Sequence, residues 1–119
     1  ASDRDAGAIR AARANAERAG VGRDIAFSCR AVSAVEPPGG LGWVVTNPPY
    51  GLRISARKDL RGLYIQLGKV LRNRCPGWTV AILCNSGALA QRTGLTFDEE
   101  IPLRNGGLKV SLWKGRIED

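Results

Sequence analysis

The chain has 119 residues, 44% of them hydrophobic, and carries a net charge of +7. That length allows one domain with a single core, and the hydrophobic content is ordinary for a globular protein. With no histidine, and with Cys29, Cys75 and Cys84 lacking any Cys-x-x-Cys spacing, His-based proton transfer and zinc sites of the usual kind are excluded within it.

In chain order, Asp3 or Asp5 can cap a helix running to about Ala19, with Ile9, Ala12, Ala16 and Ala19 on one face and Gly20 as its stop. Ile25 to Cys29 reads as a short strand. Pro37-Pro38-Gly39-Gly40 marks a loop, after which Leu41 to Thr46 forms a buried strand. A basic loop follows: Gly51, Leu52, Arg53, Ile54, Ser55, Ala56, Arg57, Lys58. Asp59 is placed to cap the clearest helix, where Leu60, Leu63, Tyr64, Leu67, Val70 and Leu71 recur at helical spacing through Asn73. Pro76-Gly77 ends it, and Thr79 to Cys84 is another buried strand. A short helix near Gly87 to Arg92 stops at Gly94. Two final strands, near Leu95 to Leu103 and Leu108 to Lys114, flank the hairpin-type turn Asn105-Gly106-Gly107. The fold class is α/β, with an antiparallel pair at its end.

Asn47-Pro48-Pro49-Tyr50 stands directly behind the apolar run Trp43-Val44-Val45-Thr46. A strand that ends this way delivers a rigid polar turn to its carboxyl end, where open α/β sheets place their sites. The two prolines fix φ, and Pro48 also turns Asn47 away from helical geometry. An amide and an aromatic ring are thereby held close together, as a site gripping a planar base and its amino hydrogens requires. The positive charge is mostly arginine, whose fork suits phosphate, so nucleic acid is the expected partner. Arg53, Arg57, Lys58 and Arg61 follow the motif and suit flanking phosphates, or else form a solvated loop and helix start. No apolar stretch approaches a membrane span, the N-terminus is charged, and an odd cysteine count suits a reducing compartment, so a cytoplasmic protein is expected. Cys75 before Pro76 reads as a buried or incidental thiol.

With these elements placed, the chain resembles the S-adenosylmethionine-dependent RNA guanine-amino methyltransferases, a family often carrying an upstream THUMP domain. SDRDAGAIRAARANAERAGV resembles the family's acidic strand end and following helix, and WVVTNPPYGLRI its catalytic strand and loop. DLRGLYIQLGKVLRNRCPGWTVAIL and NGGLKVSLWKG resemble the next helix-strand unit and the closing hairpin. The Asn-Pro-Pro-Tyr motif is shared with DNA adenine methyltransferases, whereas LYIQLGKVL and the NGGL turn favour the RNA branch. The resemblance implies a Rossmann-like fold with a mostly parallel sheet and a C-terminal antiparallel hairpin. It also implies that residues 1–119 are the C-terminal portion of a catalytic domain whose first strand and Gly-rich cofactor loop lie upstream.

By the same resemblance, Asp3 accepts hydrogen bonds from the cofactor ribose, Asn47 and Pro48 accept the amino hydrogens of the base, and Tyr50 stacks on it. Pro49 stiffens the turn, and Asn47 also borders the cofactor. A simple helix cap is the competing reading of Asp3. Where the family has an acidic residue near the cofactor adenine, this chain has Ala31 beside Arg30. The function implied is methyl transfer to an exocyclic amino group in RNA, guanine N2 of rRNA or tRNA, by a piece not active alone. Adenine-directed DNA methylation is the variant reading, and a non-catalytic nucleic-acid-binding or assembly fragment the alternative. A sheet without its first strand is expected to pair through its exposed edges with the rest of the protein or with another copy.

Overall fold

Asp5 starts the first helix because its carboxylate takes the N–H of Gly7 at 3.1 Å while its own backbone stays extended. In the computed structural model, which describes residues 1–50 and 57–119, this helix is α1, Ala6–Arg18. Its end is a Schellman motif: Gly20 adopts φ +75°, its N–H bonds the Glu17 carbonyl, and the Val21 N–H bonds the Ala16 carbonyl. Ile9 and Ala16 are buried beneath it. Ala19, expected on the same face, is exposed, because it forms the C-cap where the chain turns away.

Strands β1 (Ser2–Asp3) and β2 (Ser28–Cys29) flank α1 and pair in parallel, with Asp3 opposite Cys29. The strand expected from Ile25 is therefore shorter at its start. Two residues of β1 offer a ladder to only two partners, and Ile25 is left exposed. These elements belong to the unit Ala1–Glu36, which is compact by itself.

The second unit, Pro37–Asp119, contains β3 (Trp43–Thr46), α2 (Arg57–Arg74), β4 (Thr79–Cys84), α3 (Gly87–Arg92), β5 (Glu99–Asn105) and β6 (Leu108–Arg116). Its four strands lie in the order β3-β4-β6-β5. β3 and β4 run parallel, whereas β6 is antiparallel to both β4 and β5. This is the expected α/β, Rossmann-like arrangement, with parallel pairing followed by a C-terminal hairpin. Gly106 and Gly107 both take positive φ, as a two-residue hairpin turn between Asn105 and Leu108 requires.

The core forms where α2 meets β4. Val80, Ile82 and Cys84 alternate onto one face of β4 and are fully buried, as is Tyr64 of α2, whose hydroxyl reaches Cys84. Leu60, Leu67 and Leu71 continue the helical stripe into that core. Burying each such side chain contributes about 1.5–3 kcal/mol. Cys75 is buried, and burial pushes its thiol up from the ordinary range.

Three further sequence expectations need correction. β3 is not buried: Trp43 is 58% and Val45 73% exposed. β3 lies at the edge of the described sheet, and residues 43 and 45 point away from the face that α2 covers. The penultimate strand begins at Glu99 rather than Leu95, whose N–H instead bonds the Thr93 hydroxyl at the end of α3. Finally, α2 starts at Arg57, so Asp59 falls inside its first turn instead of capping it. Both positions favour an acidic residue, through capping at one and the helix dipole at the other. Among the described residues, no helix is long and apolar enough to cross a membrane.

Candidate functional site

The Asn47-Pro48-Pro49-Tyr50 turn leaves β3 at its carboxyl end, one residue beyond the Thr46–Ile82 pair. Asn47 and Pro49 are exposed, and Pro48 and Tyr50 half-buried. Two hydrogen bonds fasten the turn, one from α2 and one from the β5–β6 hairpin. The hydroxyl of Tyr64, fully buried on α2, donates to the Pro49 carbonyl at 3.1 Å. Cys84 Sγ lies slightly farther from it, at 3.4 Å. With one hydrogen to give, the hydroxyl serves the nearer and stronger acceptor. Burial, followed by the neighbouring Cys84, drives the Tyr64 hydroxyl far above the ordinary tyrosine range, so it remains a donor at every physiological pH. The side-chain amide of Asn105, at the tip of the β5–β6 hairpin, donates to Tyr50 Oη at 2.8 Å.

The carbonyl of Pro49 is thus occupied. Neither the Asn47 side chain nor the Pro48 carbonyl has a hydrogen-bond partner among the described residues. What the turn presents is a pair of neighbouring acceptors on a clamped, proline-stiffened backbone, with an aromatic ring beside them.

Tyr64 and Asn105 were not expected at the site. Tyr64 carried one signal, a hydroxyl in an otherwise apolar helical stripe, which must find a partner once buried. Asn105 carried none, since it meets Tyr50 from 55 positions away. Tyr64→Phe should lower the unfolding free energy by about 1–2 kcal/mol, because it leaves the Pro49 carbonyl without its donor. Urea denaturation reads this directly, and an unchanged midpoint would show that the clamp carries no weight.

In the first unit, Asp3 is the last residue of β1 and is exposed. Its Oδ1 accepts from the Asp5 N–H at 2.8 Å, which orients the carboxylate and leaves Oδ2 to accept from a ligand. Helix capping belongs to Asp5, so that use of Asp3 falls away. Arg30, beside the unexpected Ala31, pairs with Glu36 at 3.1 Å. Arg61 is exposed on the early part of α2, one turn before Tyr64. Arg53 lies outside the described residues; Arg57 and Lys58 open α2, with their side chains likewise outside the description.

Comparison with known proteins gives a consistent result. The family described as "RMKL-like, methyltransferase domain" matches residues 1–114. The ribosomal RNA large subunit methyltransferase K/L of Legionella pneumophila (strain Corby) is 42% identical over 112 residues, covering 94% of this chain and 16% of that protein. A crystal structure described as "a possible methylase from Clostridium difficile 630" superimposes with a TM-score of 0.89 at 29% identity, over 99% of this chain and 31% of the other. SMU.472, solved in complex with SAH, gives a TM-score of 0.87 at 28% identity, over 95% of this chain and 30% of its own. The chain spans only 15% to 29% of the length of the curated relatives that match it first.

Proposed function

The chain belongs to the RMKL-like methyltransferase family, and on that premise we propose that it forms the base-gripping portion of an RNA methyltransferase site. The reaction is methyl transfer from S-adenosylmethionine to an exocyclic amino group, guanine N2 of ribosomal or transfer RNA. Residues 1–119 are read as the C-terminal portion of the catalytic domain. The observation that carries this is the paired acceptor of Asn47 and Pro48, held at the carboxyl end of β3 by the Tyr64–Pro49 hydrogen bond.

The lone pair of a base amino nitrogen is delocalised into the ring, which makes it a weak nucleophile. When Asn47 Oδ1 and the Pro48 carbonyl each accept one amino hydrogen, the nitrogen is favoured in a pyramidal form with its lone pair freed for attack. Neither acceptor has to titrate, in keeping with a chain that has no histidine. Such fixed positioning lowers a barrier by several kcal/mol. Tyr50 holds the unstacked base, a contact worth about 1–3 kcal/mol, and Asn105 holds Tyr50. Arg53, Arg57, Lys58 and Arg61 are read as phosphate contacts, which add affinity without sequence choice.

The residues present suit S-adenosylmethionine. Asp3 ends a strand of a parallel pair with one carboxylate oxygen already oriented by Asp5 and the other able to accept a ribose hydroxyl, and Asn47 is read as bordering the cofactor too. When bound, that cofactor supplies the methyl group from a sulfonium. The one-sided pairing of β3 among the described residues supports a further strand at its outer edge, from the rest of a longer protein or from a second copy. A monomeric intact protein would leave only the first source.

The test is methyl transfer by the intact protein from labelled S-adenosylmethionine to RNA and DNA, with the modified base identified after digestion. N2-methylguanine in RNA is expected. Label appearing as N6-methyladenine in DNA would overturn the RNA reading, and label in neither would overturn methyl transfer itself.

A further inference from the structure

Alternate residues of the β5–β6 hairpin make a wall graded in charge. In register, Arg104 faces Lys109 at the tip, Pro102 faces Ser111, and Glu100 faces Trp113 toward the base. Because side chains two residues apart share a sheet face, these pairs line one surface. From Arg104 to Glu100 the strand rises about 14 Å. Opposite, Asn85 and Gly87 follow the end of β4, and the two walls enclose an open cavity of about 700 Å³. That volume is in the range of sites for small organic ligands.

Two of the side chains that line the cavity are held in place. Trp113 Nε1 is buried without a hydrogen-bond partner among the described residues. The ring that carries it is held in place: Phe97 packs edge-on at 6.1 Å between centroids, and a Cβ at Gly87 would lie 3.4 Å from the indole. Glu100 is likewise oriented, since its Oε2 accepts from the Ser111 hydroxyl at 2.7 Å. The cavity therefore has two cations at one end and, at the other, an oriented carboxylate beside the Trp113 ring.

None of Asn47, Pro48, Pro49 or Tyr50 lines this cavity. It is nonetheless tied to the motif, because Asn105, the residue after Arg104, donates to Tyr50 Oη. We propose that the cavity between the β5–β6 hairpin and Asn85–Gly87 is a nucleotide subsite for single-stranded RNA, holding the residue next to the one that stacks on Tyr50. The phosphate lies between Arg104 and Lys109. The base lies toward Trp113 and Glu100, where the indole ring lines the cavity and the carboxylate takes an amino or hydroxyl hydrogen. A phosphate at one end and a hydrogen-bond acceptor beside an aromatic ring at the other match the polarity of a nucleotide, whereas an apolar ligand would leave the two cations and the carboxylate without a partner in the cavity. This inference rests on the nucleic-acid reading proposed above.

The experiment titrates the intact protein with a single-stranded RNA decamer of mixed sequence at several salt concentrations. The indole N–H resonance of Trp113, identified by its loss in Trp113→Phe, should move during the titration. The double variant Arg104→Ala/Lys109→Ala, at two exposed positions, should bind about tenfold more weakly, with a salt slope smaller by about 0.7 for one lost phosphate contact. RNA that binds without moving that resonance, and with the same slope in the double variant, would overturn the subsite and leave the nucleic-acid reading standing. No binding by the wild-type protein even at low salt would overturn that reading, and the subsite with it.

Discussion

Replacing Asn47 with alanine should lower kcat for methyl transfer by the intact protein at least about a hundredfold, while RNA affinity stays nearly unchanged. Removal of one preorganised group at a reacting centre typically costs a factor of about 100 to 1,000. Asn47 is exposed and has no hydrogen-bond partner among the described residues. Its truncation should therefore disturb neither the Tyr64–Pro49 bond nor the Asn105–Tyr50 bond that hold the turn. The split between turnover and binding is the diagnostic part. On the proposed roles, stacking on Tyr50 and phosphate contacts should survive the change, whereas one of the two acceptors for the amino hydrogens would be lost. Methyl-transfer kinetics beside fluorescence anisotropy with labelled RNA check both halves. Turnover at the wild-type rate would remove Asn47 from the chemistry.

Gly68→Ala should destabilise the protein by more than about 3 kcal/mol, the upper end for overpacking, and lower its melting temperature by more than about 10 °C. Gly68 lies in α2 where the end of α3 crosses it, and a Cβ there would fall 1.7 Å from the carbonyl oxygen of Thr93. That oxygen belongs to backbone, so it cannot swing aside as a side chain would. Thr93 is itself buried, and its hydroxyl donates to the Ala90 carbonyl at 2.7 Å and accepts from the Leu95 N–H at 3.1 Å. Arg72, one turn along α2, also donates to the Thr93 carbonyl. Gly62 supplies the control in the same helix, because nothing lies within 4 Å of its Cβ position. Gly62→Ala should stabilise by up to about 1 kcal/mol through helix propensity alone. Thermal melts of the two variants, followed by circular dichroism, should move in opposite directions. A Gly68→Ala protein as stable as the wild type would refute this packing of α2 on α3.

The pieces of this fold that were legible in sequence are those set by local rules. Asp5 and Gly20 bracket α1, the Leu60–Tyr64–Leu67–Leu71 stripe marks α2, Gly94 stops α3, and Gly106-Gly107 makes the hairpin. Each depends on residues within a few positions of one another, through capping, helical periodicity or the positive φ that glycine tolerates. The apolar run Trp43-Val44-Val45-Thr46 was readable as a strand for the same reason. Its burial was not, since exposure depends on which strands flank it and which face a helix covers.

The site divides along the same line. The sequence by itself determined which groups stand at Asn47-Pro48-Pro49-Tyr50 and how stiff their backbone is, because side-chain type and proline-restricted φ are local properties. Only the tertiary structure decided what holds that motif. Tyr64 comes to Pro49 from the next helix, and Asn105 comes to Tyr50 from a hairpin more than fifty residues away. The cavity walled by Arg104, Lys109, Glu100 and Trp113 likewise exists only because β5 and β6 pair in one register and β6 then docks beside β4. Contacts between distant segments are chosen by packing and strand register across the whole sheet, which no short stretch of sequence encodes.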